Sequence, residues 1–298
     1  MAIDNFVLII GAMKCGTTSL FNYLAEHPQI APCKEKEPSF FSGKVNYEKG
    51  FDYYQNLWDW QPEVHKIAME ASTSYTRVTN PIYVNAAENI KQQEQSGCRF
   101  KFIYIMRNPL DRIESHYTHA AAWKSKELQA DIAAQTIHTE AVDVSKYAMQ
   151  LDEYYQRFDA EDILLVDFND LKHRKKEMLE RICCFLDIDF DYRFEQLDAA
   201  HNQNEKKTRI SIPGWYAVRH TPFMKLVNKK MPRSTKSIFY RLFKRQVDNK
   251  YIRLSAGQKE TILDEIKLDL EKLNTEYKFD ISQWKFKAHS NDSSRTQV

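Results

Sequence analysis

The stretch FVLIIGAMKCGTTSL, residues 6–20, decides the fold. Phe6 to Ile10 are apolar and β-rich, the pattern of a parallel strand buried on both faces. Gly11 and Gly16 bracket a tight loop. Thr17, Thr18 and Ser19 then open a helix at the end where its amide N–H groups have no intrahelical acceptor. A strand, a glycine-bracketed turn and a helix start together make an anion cradle, because backbone donors and the helix dipole both favour a phosphate or sulfate there.

Working outward, further strands are expected at Phe6–Ile10, Ile67–Glu70, Phe100–Met106 and Ile163–Asp167, each short and rich in β-branched or aromatic residues. Helical patterns separate them, over Ser19–Glu26, Pro81–Gln95, Asp111–Trp123, Ser145–Phe158, Lys172–Leu186 and Gly257–Tyr277. This alternation predicts an α/β, three-layer, P-loop-like fold: a central, mainly parallel sheet flanked by helices. Ligands of such sheets bind at the carboxyl ends of the strands, where the loop after Gly11 would lie. Residues 1–287 are expected to form a single domain, and the polar residues 288–298 a disordered tail.

The bulk composition excludes several classes. A chain of 298 residues with a formal charge of +2 lacks the basic excess of a dedicated nucleic-acid binder. Five cysteines, without CxxC spacing, read as reduced thiols in a cytoplasmic protein with no zinc site. No apolar run approaches a membrane span, and the N-terminal run is too short for a signal peptide. One segment departs from the average. From Lys206 to Lys250 there are thirteen Lys or Arg residues and a single acid, Asp248. It reads either as a solvated basic face or as a lid or contact for a polyanion.

The Gly11-to-Gly16 spacing is that of a nucleotide P-loop, but the Gly-Lys-Ser/Thr ending is absent: Lys14 sits inside the loop and Thr17 takes the usual lysine position. A second segment, Phe102-Ile-Tyr-Ile-Met-Arg-Asn-Pro-Leu-Asp-Arg-Ile-Glu-Ser115, runs from a buried strand directly into Arg107. Asn108-Pro109 then starts a helix. An arginine at a strand's carboxyl end suits bidentate phosphate recognition. It equally suits an Arg107–Asp111 pair that fixes the turn, and the segment alone leaves both open.

Together these two segments resemble the sulfotransferases that use 3′-phosphoadenosine 5′-phosphosulfate (PAPS). The resemblance implies that Lys14, Cys15, Gly16, Thr17, Thr18 and Ser19 bind the 5′-phosphosulfate. It implies that Arg107 and Ser115, eight residues apart, bind the 3′-phosphate. Lys36-Glu-Pro-Ser-Phe-Phe41 is similar to a segment of the heparan-type and bacterial branch whose glutamate is the catalytic base, which implies that role for Glu37. Glu70-Ala-Ser-Thr-Ser-Tyr75 resembles a Glu-Lys-Thr-Pro-Ala-Tyr segment of the same branch. His201-Asn202 and Lys206-Lys-Thr-Arg209 resemble the loop that closes on the cofactor, implicating Lys207 and Arg209. Leu273 to Trp284 resembles the family's last helix and its Asp-Ile-Ser-x-Trp ending. The likeness covers roughly residues 5–285, although Lys124–Thr139 and Trp215–Lys250 match nothing specific.

Two departures stand out. Ser39 replaces the heparan-type histidine two places after the catalytic glutamate, and the Thr-His-Leu-Pro-like segment of the aryl and steroid branch is absent. His65 and His116 are the remaining histidine candidates for a base. Without the resemblance, Glu37 is simply an acid in the charge run Lys34-Glu-Lys-Glu37, and Glu70 is the next carboxylate, with an orienting role. The aromatics Phe40, Phe41, Tyr47, Phe51, Tyr53, Tyr54, Trp58 and Trp60 could wall an acceptor pocket or pack as core.

The resemblance therefore implies a PAPS-dependent enzyme, with PAP as product and no metal. It would transfer a sulfuryl group to a hydroxyl (less readily an amine) of a small natural product or a carbohydrate. Lys14 would also serve catalytically, beside the leaving phosphate. Two rival readings are an ATP-dependent P-loop phosphotransferase or NTPase, with Asp167 as the magnesium ligand, and an inactive anion-binding module. Oligomeric state is not legible.

Overall fold

A computed structural model describes residues 2–43, 45–122, 139–195, 208–210, 244–246 and 252–286. The chain packs as two units, Met1–His201 with Ile252–Val298, and Asn202–Tyr251.

In the first unit five parallel strands form one sheet in the order β2-β3-β1-β4-β5. They are β1 (Asn5–Gly11), β2 (Ile30–Pro32), β3 (Ile67–Ala71), β4 (Arg99–Met106) and β5 (Ile163–Asp167). Central β1 pairs with β3 through Phe6↔Ala68 to Ile9↔Ala71. On its other side it pairs with β4 through Asn5↔Arg99 to Ile9↔Ile103, with a register shift before Gly11. Phe6 to Ile10 are all fully buried. Burial of that order is worth roughly 1.5–3 kcal/mol per large apolar side chain. The expected α/β architecture and its four strands are thus present.

Strand β2 was not expected. It is an edge strand of three residues ending in Pro32, too short for periodicity to reveal, and an edge tolerates the missing amide. Helix boundaries differ for local reasons. Helix α1 (Thr17–Leu24) begins directly after Gly16, and α2 (Phe51–Gln55) is a single short turn. Helix α3 begins at Ala86 rather than Pro81, because Asn85 takes a left-handed conformation (φ 66°) ahead of it. Helix α4 (Pro109–Ala122) starts at the proline, with Asn108 Oδ1 accepting the Leu110 amide at 2.9 Å. A short α5 (Thr139–Asp143) precedes α6 (Tyr147–Tyr155). The helix expected over Lys172–Leu186 is two helices, α7 (Phe168–His173) and α8 (Lys175–Phe185), broken at Arg174. Helix α9 (Ala256–Thr275) is closed by a capping box between Ser255 and Gln258.

Long-range polar contacts tie the C-terminal segment to the sheet. Asp269 on α9 accepts the Ala148 and Met149 amides at 3.1 and 2.8 Å, capping α6 from outside. Buried Trp284 donates to Asp167 Oδ2 at 2.9 Å, and its carbonyl accepts from Asn108 Nδ2 at 2.6 Å. The expected tail, residues 288–298, lies outside the described residues.

In the second unit the described residues are two strands, β6 (Thr208–Ile210) and β7 (Lys244–Gln246), paired antiparallel with Arg209 opposite Arg245. Neither strand is marked by a periodic pattern in the sequence. Among the described residues no helix is long and apolar enough to cross a membrane.

Close packing at the carboxyl end of β1 yields a stability prediction. A Cβ at Gly11 would stand 2.2 Å from Thr76 Oγ1 and 2.6 Å from the Tyr104 ring. Gly11→Ala is expected to lower the unfolding free energy by about 1–3 kcal/mol. A urea titration should show this as a lower midpoint at unchanged slope.

Candidate active site

Three adjacent strands deliver their carboxyl ends to one place. Strand β1 leads into the loop Ala12–Gly16, β3 into the turn Ser72–Thr76, and β4 into Arg107. The loop is built with two left-handed residues, Lys14 (φ 72°) and Gly16 (φ 93°). A side chain at Gly16 would collide with Phe168 and Leu171, within 2.9 Å. Its root is fixed by Ala12 N–H donating to Ile105 O at 2.7 Å and by Thr76 Oγ1 donating to Ile10 O at 2.7 Å.

Two arginines set the loop's polarity. Arg107 Nη1 donates to the Lys14 carbonyl and Arg112 Nη1 to the Met13 carbonyl, each at 3.4 Å. Carbonyls drawn to that side leave the following amides and the α1 N-terminus to face a ligand. That terminus has no side-chain cap and no acid in its first turn. Arg112 is fully buried, donates to Ser145 Oγ at 2.7 Å, and also bonds Ala141 O. Its place in the loop was not read from the sequence, although Arg107 and Arg112 share one strand-to-helix turn. The Cys15 thiol faces inward, 3.7 Å from the Tyr147 hydroxyl, and burial pushes its pKa up. Only the backbone of Cys15 can serve an anion.

Arg107 is mostly buried, and both meanings of its position hold at once. Its Nη2 pairs with Asp111 at 3.3 Å, while its Nε is buried with no hydrogen-bond partner among the described residues. The guanidinium lies 5.0 Å from the Phe168 ring centroid, and Lys172 Nζ lies 4.7 Å from the same ring. Burial, then the charge of Arg107, lowers the Lys172 pKa. A cavity of about 850 Å³ opens here, lined by Arg107, Phe168, Lys172, Arg253, Trp284 and Phe286 among others. A buried guanidinium nitrogen in want of an acceptor, a second cation and aromatic faces fit a phosphorylated nucleoside. Phe168 and Lys172 were missed because α7 was read as a plain strand-to-turn connection.

The remaining expected residues divide. Thr17 is buried, and Thr18 and Ser19 are half-buried, in the first turn of α1. Ser115 is buried on α4, two helical turns beyond Arg107, and does not itself line the cavity. Lys207, His201, Asn202 and Lys206 lie outside the described residues. Arg209 sits on β6 in the second unit. Among the described residues no three His, Cys, Asp or Glu side chains cluster as metal ligands.

Glu37 is half-exposed and ion-paired with Lys36. Glu70 is fully buried beneath it, accepting hydrogen bonds from Tyr54 Oη (3.0 Å), Ser72 Oγ (2.5 Å) and Tyr75 Oη (2.6 Å). Burial raises the Glu70 carboxyl to about 7, with the three hydroxyl donors pulling it down and the Glu37 charge adding to the rise. His65 precedes β3, at the amino edge of the sheet, and accepts the Gln61 amide at 3.0 Å. It stands at the wrong end to be a base. Burial, then Arg112, Arg77, Lys14 and His119, lowers His116 to about 3, so it is a neutral and weakly basic imidazole.

Of the aromatics, Phe40, Phe41, Tyr54 and Trp58 are core: they pack with Phe6 and one another at ring separations of 4.5–5.6 Å. Asp167, the rival magnesium ligand, is a helix cap, its Oδ1 accepting the Asn169 amide at 2.7 Å and its Oδ2 the Trp284 indole.

Known proteins share this chain's sequence pattern and fold. The family model described as a sulfotransferase domain matches residues 4–212. The chain is 25% identical over 198 residues to a bifunctional heparan sulfate N-deacetylase/N-sulfotransferase 1 of Caenorhabditis elegans, covering 61% of this chain and 22% of that protein. It is 29% identical over 163 residues to the membrane-associated sulfotransferase kil1 of Dictyostelium discoideum, covering 52% of this chain and 32% of the relative. The match thus spans only about a fifth to a third of these relatives' lengths. A crystal structure of a sulfotransferase from Alicyclobacillus acidocaldarius shares the fold, with a TM-score of 0.62 and 20% identity over 94% of this chain and 98% of that one. With its loop, its arginine turn and two-thirds of its length matched, the chain belongs to the PAPS-dependent sulfotransferase family.

Proposed function

We propose that the protein transfers the sulfuryl group of PAPS to a hydroxyl of a small natural product, with a carbohydrate hydroxyl or an amine as the next acceptors. One contact supports this above the others: Arg107, at the end of β4, reaches the Lys14 carbonyl of the phosphate loop while keeping a buried Nε without an acceptor. The residue suited to a 3′-phosphate and the residue suited to a 5′-phosphosulfate are thereby held in one unit.

Sulfuryl transfer is mainly positioning and charge stabilisation. Glu37 takes the acceptor's proton as the acceptor oxygen bonds to sulfur, a role worth roughly 10²–10⁴-fold. The bond from sulfur to the bridging phosphate oxygen breaks, and its electron pair leaves with PAP. Lys14 and the amides of Gly16 to Ser19 offset the charge that collects on that phosphate. Glu37 then returns its proton to solvent. Arg107, with Lys172 across the Phe168 ring, holds the 3′-phosphate and so distinguishes PAPS from a nucleotide lacking it. The resemblance assigns Ser115 to the same phosphate. Positive charge at the leaving group comes from Lys14 and helix amides, so no metal is assigned a role.

Incubating the protein with PAPS and a metabolite panel, followed by mass spectrometry, should reveal a sulfated product; release of neither a sulfated product nor PAP would refute the reading. Arg107→Ala is expected to weaken PAP binding by at least about tenfold in calorimetry, as the loss of a charge-assisted contact of about 1.5–3 kcal/mol implies, and to weaken adenosine 5′-phosphate binding by less, since that ligand loses only the loop support. Glu37→Gln is expected to cut turnover by about 10²-fold or more with PAP affinity retained. Turnover should be unaffected by a chelator, and a chelator-dependent loss restored by magnesium would favour phosphotransfer chemistry instead.

A further inference from the structure

The segment carrying Glu37 has an unusual attachment. Its backbone is held on both sides of Glu37 by residues that directly follow Glu70. On one side the Ala71 amide donates to the Lys36 carbonyl at 3.2 Å. On the other the Ser39 amide donates to Ser72 Oγ at 3.0 Å. Ser72 in turn donates to Glu70 Oε2 at 2.5 Å. A second serine reinforces the first: Ser74 Oγ donates to Ser39 Oγ and receives the Ser42 hydroxyl, both at 2.9 Å. Ser39 itself is left-handed (φ 49°), a conformation that costs a non-glycine residue of order 1 kcal/mol or more and persists only where surroundings impose it.

The chemistry of the chain is directional. A serine hydroxyl has one proton, and giving it to a buried carboxylate leaves its lone pairs for the incoming Ser39 amide. Tyr54 and Tyr75 donate to the other carboxylate oxygen, so Glu70 cannot swing away from Ser72. Tyr75 also accepts the Phe41 amide at 3.2 Å, tying the far end of the same segment to the same carboxylate. Such a network stabilises little beyond what its own desolvation costs, but it fixes one geometry.

We propose that Glu70, acting through Ser72 and Tyr75, is a positioning residue that clamps residues 36–41 so that Glu37 is held at the acceptor, with Ser72 as the essential link. This rests on the assignment of Glu37 as base. It extends that assignment to residues that never touch substrate.

The test uses the full chain and three variants, Ser72→Ala, Ser72→Thr and Glu70→Gln. Turnover is read as PAP released from PAPS, with the acceptor found in the panel or with water where none is found. Ser72→Ala is expected to lose between about tenfold and a hundredfold in kcat, as a misplaced catalytic group does, with PAP affinity unchanged and the Ser39 amide exchanging faster by NMR. Ser72→Thr should restore both. In a Glu37→Gln background Ser72→Ala should cost nothing further, since there is no base left to position. Parent-like kcat and Ser39 protection in Ser72→Ala would overturn the inference, as would a loss fully additive with Glu37→Gln. Glu70→Gln should behave as Ser72→Ala does; should it not fold, Ser72→Ala alone decides. If Glu37→Gln itself turns over normally, the base assignment fails, whereas an impaired Glu37→Gln beside a normal Ser72→Ala removes only the clamp.

Discussion

The pairing of β1 between β3 and β4 is the constraint from which the site follows. Leu8 stands in register with Glu70 and Phe102, and Ile9 with Ala71 and Ile103. Both faces of β1 are buried, so a slip of one residue would exchange the side chains packed against the two covering layers and disrupt both, and the close packing of Phe6 to Ile10 holds that register. Locking it also aligns three loop origins that are far apart in sequence. The loop after Gly11, the turn after Ala71 and the arginine after Met106 then share one edge of the sheet. Cross-contacts at that edge, Thr76 to the Ile10 carbonyl and the Ala12 amide to the Ile105 carbonyl, depend on the same alignment.

Much of this was legible because the informative residues are local. Phe6 to Ile10 needs only its own hydropathy to be read as a buried strand, and Gly11 and Gly16 only their spacing to be read as a phosphate loop. Arg107 follows from a strand that runs into Asn-Pro. What escaped the sequence depends on contacts between distant segments. Arg112 looks like any charged helix residue, yet it is fully buried because the Met13 and Ala141 carbonyls and Ser145 surround it. Phe168 and Lys172 gain meaning only from Arg107 across the cavity. Glu70 showed its position at a strand's end but not its three hydroxyl partners, two of which come from elements before and after it. Strand β2 was too short for its period to be read.

The two halves of the site differ in how they treat charge. On the β3 side a single buried carboxylate is surrounded by hydroxyls, which satisfy it without neutralising it. On the β4 side Arg107 is paired with Asp111, whereas the fully buried Arg112 bonds only a hydroxyl and two carbonyls among the contacts described. A buried charge left without a counter-charge is costly, several kcal/mol by the usual reckoning. Folding tolerates that cost where a ligand repays it.

His116 gives a measure of that positive field. Burial is the first reason its pKa falls to about 3, but the next are Arg112, Arg77, Lys14 and His119, all disfavouring a further proton. The Cys15 thiol registers the same cations with the opposite sign: Arg112 and Arg107 oppose the rise that burial imposes. Two neutral side chains of different chemistry thus lie close to Arg112 and the other cations around the loop that follows β1. Such a field is what a highly charged anion finds attractive, and desolvation strengthens the attraction rather than screening it. The buried arginine beneath the loop therefore does more than orient the Met13 carbonyl. It makes the loop's environment electropositive before any ligand arrives, so binding an anion there relieves a cost already present in the folded chain.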